Sequence, residues 1–344
     1  GGKIFISQLE QDNLFVIPLD DQRRWYRYHH LFQRLLKRQL KKRYSPHAIT
    51  KLHKQAGDWF VQNNLPDEAL QHFLTANDIP AAKEIVIQNR HALTDQEQWH
   101  RLEHWIGLLP KTAIDMSPEL LVTSAWLCEN RMKISEMMDF AIRADRLITK
   151  KGTETSINRQ LSGEIAALNA ARFFLEGKGM LALSSAKQAL KTIPEPHASE
   201  RAFALLVLAF SHQMTGSVKD AFSVVYKALD QADAYSYTYR ARLMFSECFI
   251  NWIVTDLKAL KRTAKQVLNF GQEYGLMESI SFAHYFLGIA HYCLNDIEAA
   301  EKHLVLGAKQ GRMSNINTFV PVSYTHLTLP TTCNLCRSRW SPDH

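Results

Sequence analysis

The sequence predicts an all-α protein with one short β-hairpin near its start. Glycine accounts for only 14 of 344 residues and no proline lies between Pro196 and Pro321, which favours long packed helices over turn-rich β-structure. Apolar residues make up 46% of the chain, enough for a buried core. No stretch approaches the roughly 20 apolar residues of a membrane span. We therefore expect a soluble, cytoplasmic chain without membrane contact.

Residues 1–47 are predicted to be the C-terminal part of a winged helix. Leu14–Leu19 is a short apolar run of strand type, and Arg23–Tyr28 alternates basic with aromatic residues as a second strand after turn residues. From His29 the apolar spacing becomes helical, and Pro46 ends that helix. The apolar stripe of the helix consists of Leu31, Phe32, Leu35, Leu36 and Leu40.

Positive charge is concentrated in this region. The chain carries a formal net charge of +7, and the window between Asp21 and Asp58 contains eleven basic residues and no acidic one. The basic residues are Arg23, Arg24, Arg27, Arg34, Lys37, Arg38, Lys41, Lys42, Arg43, Lys51 and Lys54. A cationic winged helix can bind DNA through the phosphates, but a charged helix face is more often simply solvated. Direct DNA contact by this segment is the less favoured alternative.

Residues 48–321 are predicted to form paired helices that stack as a TPR-like right-handed α-superhelix, with bridging pairs at 48–110 and helical repeats at 111–321. In this repeat pattern the second helix of a pair carries a small residue, a large apolar residue four positions later and a small one three beyond; the unit after Thr255 matches weakly, with Leu260 where a small residue is expected. The matching triplets are Ala69–Phe73–Ala76, Ala221–Val225–Ala228, Ala300–Leu304–Gly307 and, more loosely, Ala182–Ala186–Ala189. The turns within the pairs are predicted at Gly177, at Gly216, close to Thr255 and at Asn295, at intervals of 39, 39 and 40 residues. Stacked pairs of this kind offer a concave binding face.

One motif suggests a metal site. His100, Glu103 and His104 spell an inverted zinc-protease motif, in which the histidines share a metal and the glutamate acts as general base. The same helix carries an ordinary buried stripe from Trp99 to Leu109, and no further ligand is identifiable. We therefore predict no catalytic and no metal-binding residues. No phosphate-binding Gly-x-x-x-x-Gly-Lys-Ser/Thr loop occurs either, so we expect this chain alone not to be an enzyme.

Three segments carry a family resemblance. They are NLFVIPLDDQRRWYRYHHLFQRLLKRQL (Asn13–Leu40), HKQAGDWFVQNNLPDEALQHFLTANDIPAAKEI (His53–Ile85) and RLEHWIGLLP (Arg101–Pro110). They resemble the large ATP-binding LuxR-type transcriptional regulators, the MalT-like family of signal-transduction (STAND) ATPases. Members carry, in order, a P-loop ATPase core, a winged helix, a helical-repeat sensor and a C-terminal helix-turn-helix. The resemblance implies a fragment of an ATP-dependent, inducer-responsive transcriptional activator in which 111–321 is the sensor region.

The resemblance also implies one cofactor-binding residue. Tyr28-His29-His30 stands where related switch ATPases carry Met-His-Asp, whose histidine contacts the β-phosphate of bound ADP. His29 is therefore expected to contact ADP, with ATP or ADP a cofactor of the full-length protein only. An imidazole N–H can donate a hydrogen bond to a phosphate oxygen. The alternative is that His29 and His30 simply open a helix at the surface, and His30 replaces the aspartate that orders the motif.

The partners implied by the resemblance are a small-molecule inducer, DNA and further copies of the activated protein. The inducer of the namesake regulator is a malto-oligosaccharide, and DNA would be bound by the C-terminal domain outside this chain. The rival hypothesis is a free-standing TPR-like scaffold for protein–protein interaction. The Tyr28-His29-His30 segment favours the regulator.

Residues 322–344 differ from the rest of the chain. VSYTHLTLPTT (Val322–Thr332) has no helical spacing, and together with CRSRWSP (Cys336–Pro342) it resembles the in-frame translation of a sequencing-library adaptor. The tail holds the one Cys-x-x-Cys of the sequence, Cys333 and Cys336, with His326 and His344 nearby. We interpret 322–344 as an adaptor-derived artefact and expect no zinc or redox function there.

Overall fold

A computed structural model of the chain describes residues 9, 16–18, 22, 26–151, 155–232 and 236–313. The chain divides into two compact units, Gly1–Ile85 and Val86–His344. This division falls inside the predicted bridging pairs, and the predicted boundaries after residues 47 and 110 remain predictions. The predicted adaptor-derived tail, 322–344, lies outside the described residues.

The first unit contains the predicted hairpin. Strands β1 (Val16–Pro18) and β2 (Tyr26–Tyr28) pair antiparallel, with Ile17 opposite Arg27. The helices that follow are α1 (His30–Arg43), α2 (Pro46–Gln62), α3 (Pro66–Thr75) and α4 (Ile79–Asp95), the last of which continues into the second unit.

Helix α1 ends before Pro46, as predicted. Ser45 is the N-cap of α2, and its Oγ accepts a hydrogen bond from the Ala48 backbone N–H at 3.2 Å, while Pro46 occupies a first-turn position that needs no N–H. The boundary between the two helices is therefore set by local chemistry.

The predicted apolar stripe of α1 is not buried. Leu31 is 61% exposed and Leu35 is 50% exposed, and none of the described residues of α1 is buried. The buried residues of the first unit include Ala69 and Phe73 of α3 and its C-cap residue Ala76, as the triplet predicts, and also Ala82 and Ile85 of α4.

The second unit consists of helices joined by short turns. After the end of α4 come α5 (Trp99–Leu108), α6 (Lys111–Asp115), α7 (Pro118–Asn130), α8 (Ile134–Lys151), α9 (Ser156–Leu175), α10 (Gly179–Thr192), α11 (Ala198–Met214), α12 (Val218–Asp230), α13 (Tyr237–Ile253), α14 (Leu257–Tyr274), α15 (Met277–Cys293) and α16 (Ile297–Met313). None of the helices in the described ranges combines the length and the hydropathy that crossing a membrane requires.

Helices α7 to α16 form five stacked pairs. Within each pair the two helices pack together, and each second helix packs on the first helix of the next pair. The first helices α7, α9, α11, α13 and α15 also pack directly on one another in that order. This is the connectivity of a helical-repeat stack, so the predicted all-α fold with an N-terminal hairpin is confirmed.

The predicted turns within the pairs are confirmed by the backbone. Gly177, Gly216, Thr255 and Asn295 all have positive φ, at 74°, 85°, 60° and 61°. A left-handed residue after the first helix lets the chain reverse and satisfies the last carbonyls of that helix. Thr255 adopts this conformation although it is β-branched, which is rare. The turn therefore depends on the stacking of the helices more than on the residue type.

Small residues allow the paired helices to cross closely. A Cβ placed on Gly288 of α15 would lie 2.6 Å from Cγ of the buried Leu304 on α16. Leu304 is the large apolar position of the predicted Ala300–Leu304–Gly307 triplet.

We expect Gly288→Ala to destabilise the second unit by about 1–3 kcal/mol, because the added methyl group overpacks the contact with Leu304. The matched control is Gly107→Ala on α5, where a Cβ meets nothing within 4 Å. That change should raise stability by about 0.5–1 kcal/mol through helix propensity. Thermal or urea unfolding measures both, and equal effects of the two substitutions would contradict the packing argument.

Candidate functional site

A segment from Arg90 to Trp99, here called the crossing segment, runs across the first helices of the stack. It comprises the end of α4, the loop of residues 96–98 and the first residue of α5. Its polar groups contact α9, α11, α13 and α15 in that order. The crossing segment therefore touches four successive helix pairs within ten residues of sequence.

Two carboxyl groups of the crossing segment meet helix N-termini. Asp95 Oδ1 accepts a hydrogen bond from the backbone N–H of Ser199 at 2.9 Å, at the start of α11. Glu97 Oε2 accepts one from the backbone N–H of Glu278 at 2.9 Å, at the start of α15. Between them, the Thr238 hydroxyl at the start of α13 donates to the Asp95 carbonyl at 2.6 Å. The segment thus supplies partners to backbone N–H groups that helices leave unsatisfied.

A buried ion pair holds the beginning of the crossing segment. The Arg90 guanidinium donates to both carboxylate oxygens of Glu164 on α9, at 3.0 and 2.5 Å, and the two side chains are 5% and 0% exposed. The indole N–H of Trp126 donates to the same carboxylate at 3.0 Å. Burial without these partners would cost several kcal/mol per charge, so the pair is stable only as a unit.

His91 connects this pair to α11. Its Nδ1 lies 3.0 Å from Oε1 of Glu200, and its ring stacks on His197 with the centroids 3.8 Å apart. Burial, together with the charge of His91, lowers the pKa of His197 to about 4. Burial alone would raise the pKa of Glu200, but the hydrogen bond from His91 and the charges of His91 and Arg90 outweigh it and lower that pKa.

The same cluster has the donor types of a metal site. Within the described ranges, ligand atoms of His91, Glu164 and His197 lie within 4.8 Å of one another. Arg90, however, already binds both oxygens of Glu164, and a dication placed there would face the guanidinium at close range. We interpret the cluster as a hydrogen-bonded network that orders the crossing segment.

The end of the crossing segment is held by α13 and α15. The indole N–H of Trp99 donates to Glu278 Oε2 at 3.2 Å, and the Arg242 guanidinium lies over the Trp99 ring, 5.6 Å from its centroid. Arg242 also donates to Ser199 Oγ at 2.5 Å and lies 3.7 Å from the Glu278 carboxylate. Arg242 and Glu278 therefore link the crossing segment to the first helices.

Arg242 and Glu278 also line a cavity of about 500 Å³ on the first-helix face. Its wall is formed by α7, α9, α11, α13 and α15 and by the start of α8, and most of the lining side chains are apolar. Six phenylalanines line it: Phe174, Phe203, Phe210, Phe245, Phe249 and Phe282. A cavity of this size, mostly apolar and with a few polar groups, is typical of a small-molecule site.

The third charged residue of the cavity wall is Glu129, at the end of α7. Burial raises the pKa of its carboxyl to about 7; the positive charge of Arg242 opposes the rise and the negative charge of Glu278 adds to it. Near neutral pH this carboxyl therefore exchanges between charged and neutral forms.

The predicted site residue His29 lies in the first unit. It is the N-cap residue of α1, and its carbonyl accepts a hydrogen bond from Gln33 N–H at 2.9 Å. Its ring lies 4.3 Å from that of His30, centroid to centroid. The position at the strand-to-helix junction is the one expected from the sequence, and the contact with ADP remains a prediction.

The His-x-x-Glu-His segment forms part of α5. Trp99, Leu102 and Trp105 are buried as predicted, whereas His100 and His104 are exposed. The carboxylate of Glu103 forms an ion pair with Arg131. The glutamate that would act as general base is thus already paired with a cation.

The phenylalanines of the cavity were not selected from the sequence. One signal was present: Phe210 and Phe249 are 39 residues apart, the interval of the predicted turns. The crossing segment offered no such signal, because its partners are separated from it by up to 182 residues.

Residues 2–48 match the family model described as the MalT winged helix domain. The chain is 27% identical over 252 residues to the HTH-type transcriptional regulator MalT of Yersinia pestis (strain Pestoides F), covering 72% of this chain and 28% of that protein. MalT of Serratia proteamaculans (strain 568) matches with the same identity and coverage.

The chain is similar to MalT over 72% of its length. The resemblance expected from the three sequence segments is confirmed, and the chain spans 28% of the length of the MalT proteins it matches. Among solved structures, the apo form of RapI superposes with a TM-score of 0.44 at 14% identity, covering 71% of this chain and 69% of that one.

The buried ion pair can be tested by neutralising one partner. We expect Glu164→Gln to destabilise the second unit by about 3–5 kcal/mol, because it leaves the Arg90 charge buried without a counter-ion. The control is Glu103→Gln, which breaks the more exposed pair with Arg131 and should cost no more than about 1 kcal/mol. Denaturant unfolding measures both, and a Glu164→Gln protein as stable as the control would refute the assigned role.

The crossing segment should loosen as the pH rises. Burial, and then the charge of Glu278, raises the pKa of Glu97, so the folded state holds a proton that the unfolded state releases. Stability from such a group is present below its ordinary pKa of 4.5 and is lost as the pH rises through the folded value. Glu129 acts in the same direction. Burial raises the pKa of Asp95 to about 6, so this carboxyl also lowers stability as the pH rises. Below about pH 6.5 its effect is opposed by His197, because burial favours the neutral imidazole and so destabilises the fold as the pH falls.

We therefore expect the melting temperature to fall between about pH 6.5 and pH 8.5, because Glu97 and Glu129 have raised pKa values and lose their protons in this range. Glu97→Gln carries no titratable proton and should flatten that fall. Thermal unfolding followed by circular dichroism across this range checks it, and an equal slope in the variant would argue against Glu97.

Proposed function

We propose that the chain is the winged-helix and sensor part of an ATP-dependent, inducer-responsive transcriptional activator of the MalT-like, LuxR-type kind. One observation carries this proposal: the cavity on the first-helix face shares Arg242 and Glu278 with the crossing segment. A ligand in the cavity would contact the same side chains that hold Trp99 and the start of α15. The two residues that would contact the ligand are therefore also the residues that hold the crossing segment.

The mechanism is a shift between two arrangements of the crossing segment. A ligand can favour one arrangement only if it binds that arrangement better than the other. Contacts with Arg242 or Glu278 supply such a difference, because they compete with the bonds from Trp99 to Glu278 and from Arg242 to Ser199. Release of Trp99 would free the end of the crossing segment.

The remaining parts of the activity belong to the whole protein. The MalT relatives are named as HTH-type transcriptional regulators, which supports DNA binding and activation by a domain outside this chain. His29 would contact the phosphate of ADP in the resting form, and activated copies would self-associate. The whole protein would work in the cytoplasm, and this chain alone would not act as an enzyme.

The proposal predicts that filling the cavity abolishes the response to inducer in the intact regulator. Leu206→Trp adds an indole to the cavity wall. We expect it to remove inducer-dependent transcription in a reporter strain while DNA binding of the purified protein is kept. The matched control is Met180→Trp on α10, a position that is 68% exposed, and it should respond like the unmodified protein.

The experiment needs the intact regulator, so the complete gene is first resequenced without the library adaptor. The proposal expects a P-loop ATPase core encoded before this chain and a helix-turn-helix after it. A gene that encodes neither would leave the TPR-like interaction scaffold as the function. A normal inducer response in Leu206→Trp would contradict the assignment of the cavity as the sensor.

A further inference from the structure

We propose that the cavity binds a small organic cation, an amine or quaternary ammonium group carried on an apolar body. The inference rests on the proposed sensing function and deepens it by naming the chemical class of the inducer. It follows from three properties of the cavity wall: its aromatic surface, its balance of charge and its shortage of neutral polar groups.

The aromatic surface is extensive and nearly continuous. The ring of Phe210 lies 5.3 Å from that of Phe174 and 4.0 Å from that of Phe249, centroid to centroid. On the neighbouring helices, the rings of Phe245 and Phe282 are 4.5 Å apart. Aromatic faces carry partial negative charge, so a set of them attracts a desolvated ammonium group as well as an apolar body.

The charges of the wall leave one carboxyl without a counter-ion. Arg242 lies 3.7 Å from Glu278, so these two balance each other. Glu129 has no ion-pair partner in the described part of the chain, and its carboxyl interacts electrostatically with both Arg242 and Glu278. Two acidic groups thus face one basic group.

The neutral polar groups of the wall are few. Among the lining side chains in the described ranges, Asn130 is the one uncharged side chain able to donate hydrogen bonds to a ligand. An oligosaccharide buried here would leave most of its hydroxyl groups without partners, at a cost for each. An anionic ligand would meet two carboxylates. The wall therefore favours an apolar cation over a sugar or an acid.

The position of the charge also gives the ligand a way to act. A cation bound at Glu129 would repel the guanidinium of Arg242, which interacts with the same carboxylate and lies 3.7 Å from Glu278. Glu278 is the acceptor for the Trp99 indole N–H. Binding at Glu129 is thereby transmitted to the crossing segment.

The test compares probes of one shape and different charge on the full 344-residue chain. Isothermal titration calorimetry near neutral pH would measure phenylbutylamine, the neutral phenylbutanol, the anionic phenylbutyrate and maltotriose. We expect the amine to bind at least about tenfold more tightly than the alcohol, since a charge-assisted contact contributes that much. Phenylbutyrate and maltotriose should bind more weakly than the alcohol.

The residue carrying this preference is tested by Glu129→Gln. The variant should lose about tenfold in affinity for the amine and keep its affinity for the alcohol. Glu129→Asp, which keeps the charge, should retain part of the preference and serves in its place if the glutamine variant does not fold. The matched control is Glu301→Gln on α16, an exposed acid away from the cavity, which should leave every affinity unchanged.

Other results would overturn the inference. It fails if the amine binds no better than the alcohol, if no probe binds, or if the preference survives removal of the Glu129 charge. Tighter binding of maltotriose or phenylbutyrate would replace the ligand class while the sensing function stands. Failure of the sensing function itself would appear separately, as a normal inducer response of Leu206→Trp in the intact regulator.

Discussion

The arrangement of the candidate site depends on the burial of one arginine. The Arg90 guanidinium is almost completely removed from solvent, so its charge must be balanced where it lies, and Glu164 balances it with two hydrogen bonds. This pair ties the end of α4 to α9. The residues that follow Arg90 are then within reach of the next helices, so His91 meets Glu200 and Asp95 meets the start of α11.

The second half of the crossing segment is held by hydrogen bonds and by contacts with Arg242. Asp95 and Glu97 gain hydrogen bonds from helix N-termini, but burial raises the pKa of both carboxyls, so part of that gain is offset. Arg242 is shared between Ser199, Glu278 and the ring of Trp99. The contacts of this half therefore depend on Arg242 and Glu278, which also line the cavity.

The cavity itself is a consequence of the repeat. Small residues such as Gly288 let the helices of a pair cross closely, and the first helices then pack side by side. Equivalent positions on neighbouring first helices, such as Phe210 and Phe249, come into ring contact. The wall is therefore assembled from residues that are far apart in sequence, and its chemistry can change without disturbing the pairs.

The sequence by itself determined the local features. These include the hairpin, the stop before Pro46, the buried triplets and the turns at Gly177 and Gly216, because turn conformation and helical spacing depend on near neighbours. Family resemblance added the MalT-like context. Only the tertiary structure decided that Arg90 pairs with Glu164, 74 residues away, and Trp99 with Glu278, 179 residues away. Which polar groups meet across a stack depends on how helix pairs are rotated against each other, and the spacing of residues within one helix carries no record of that rotation.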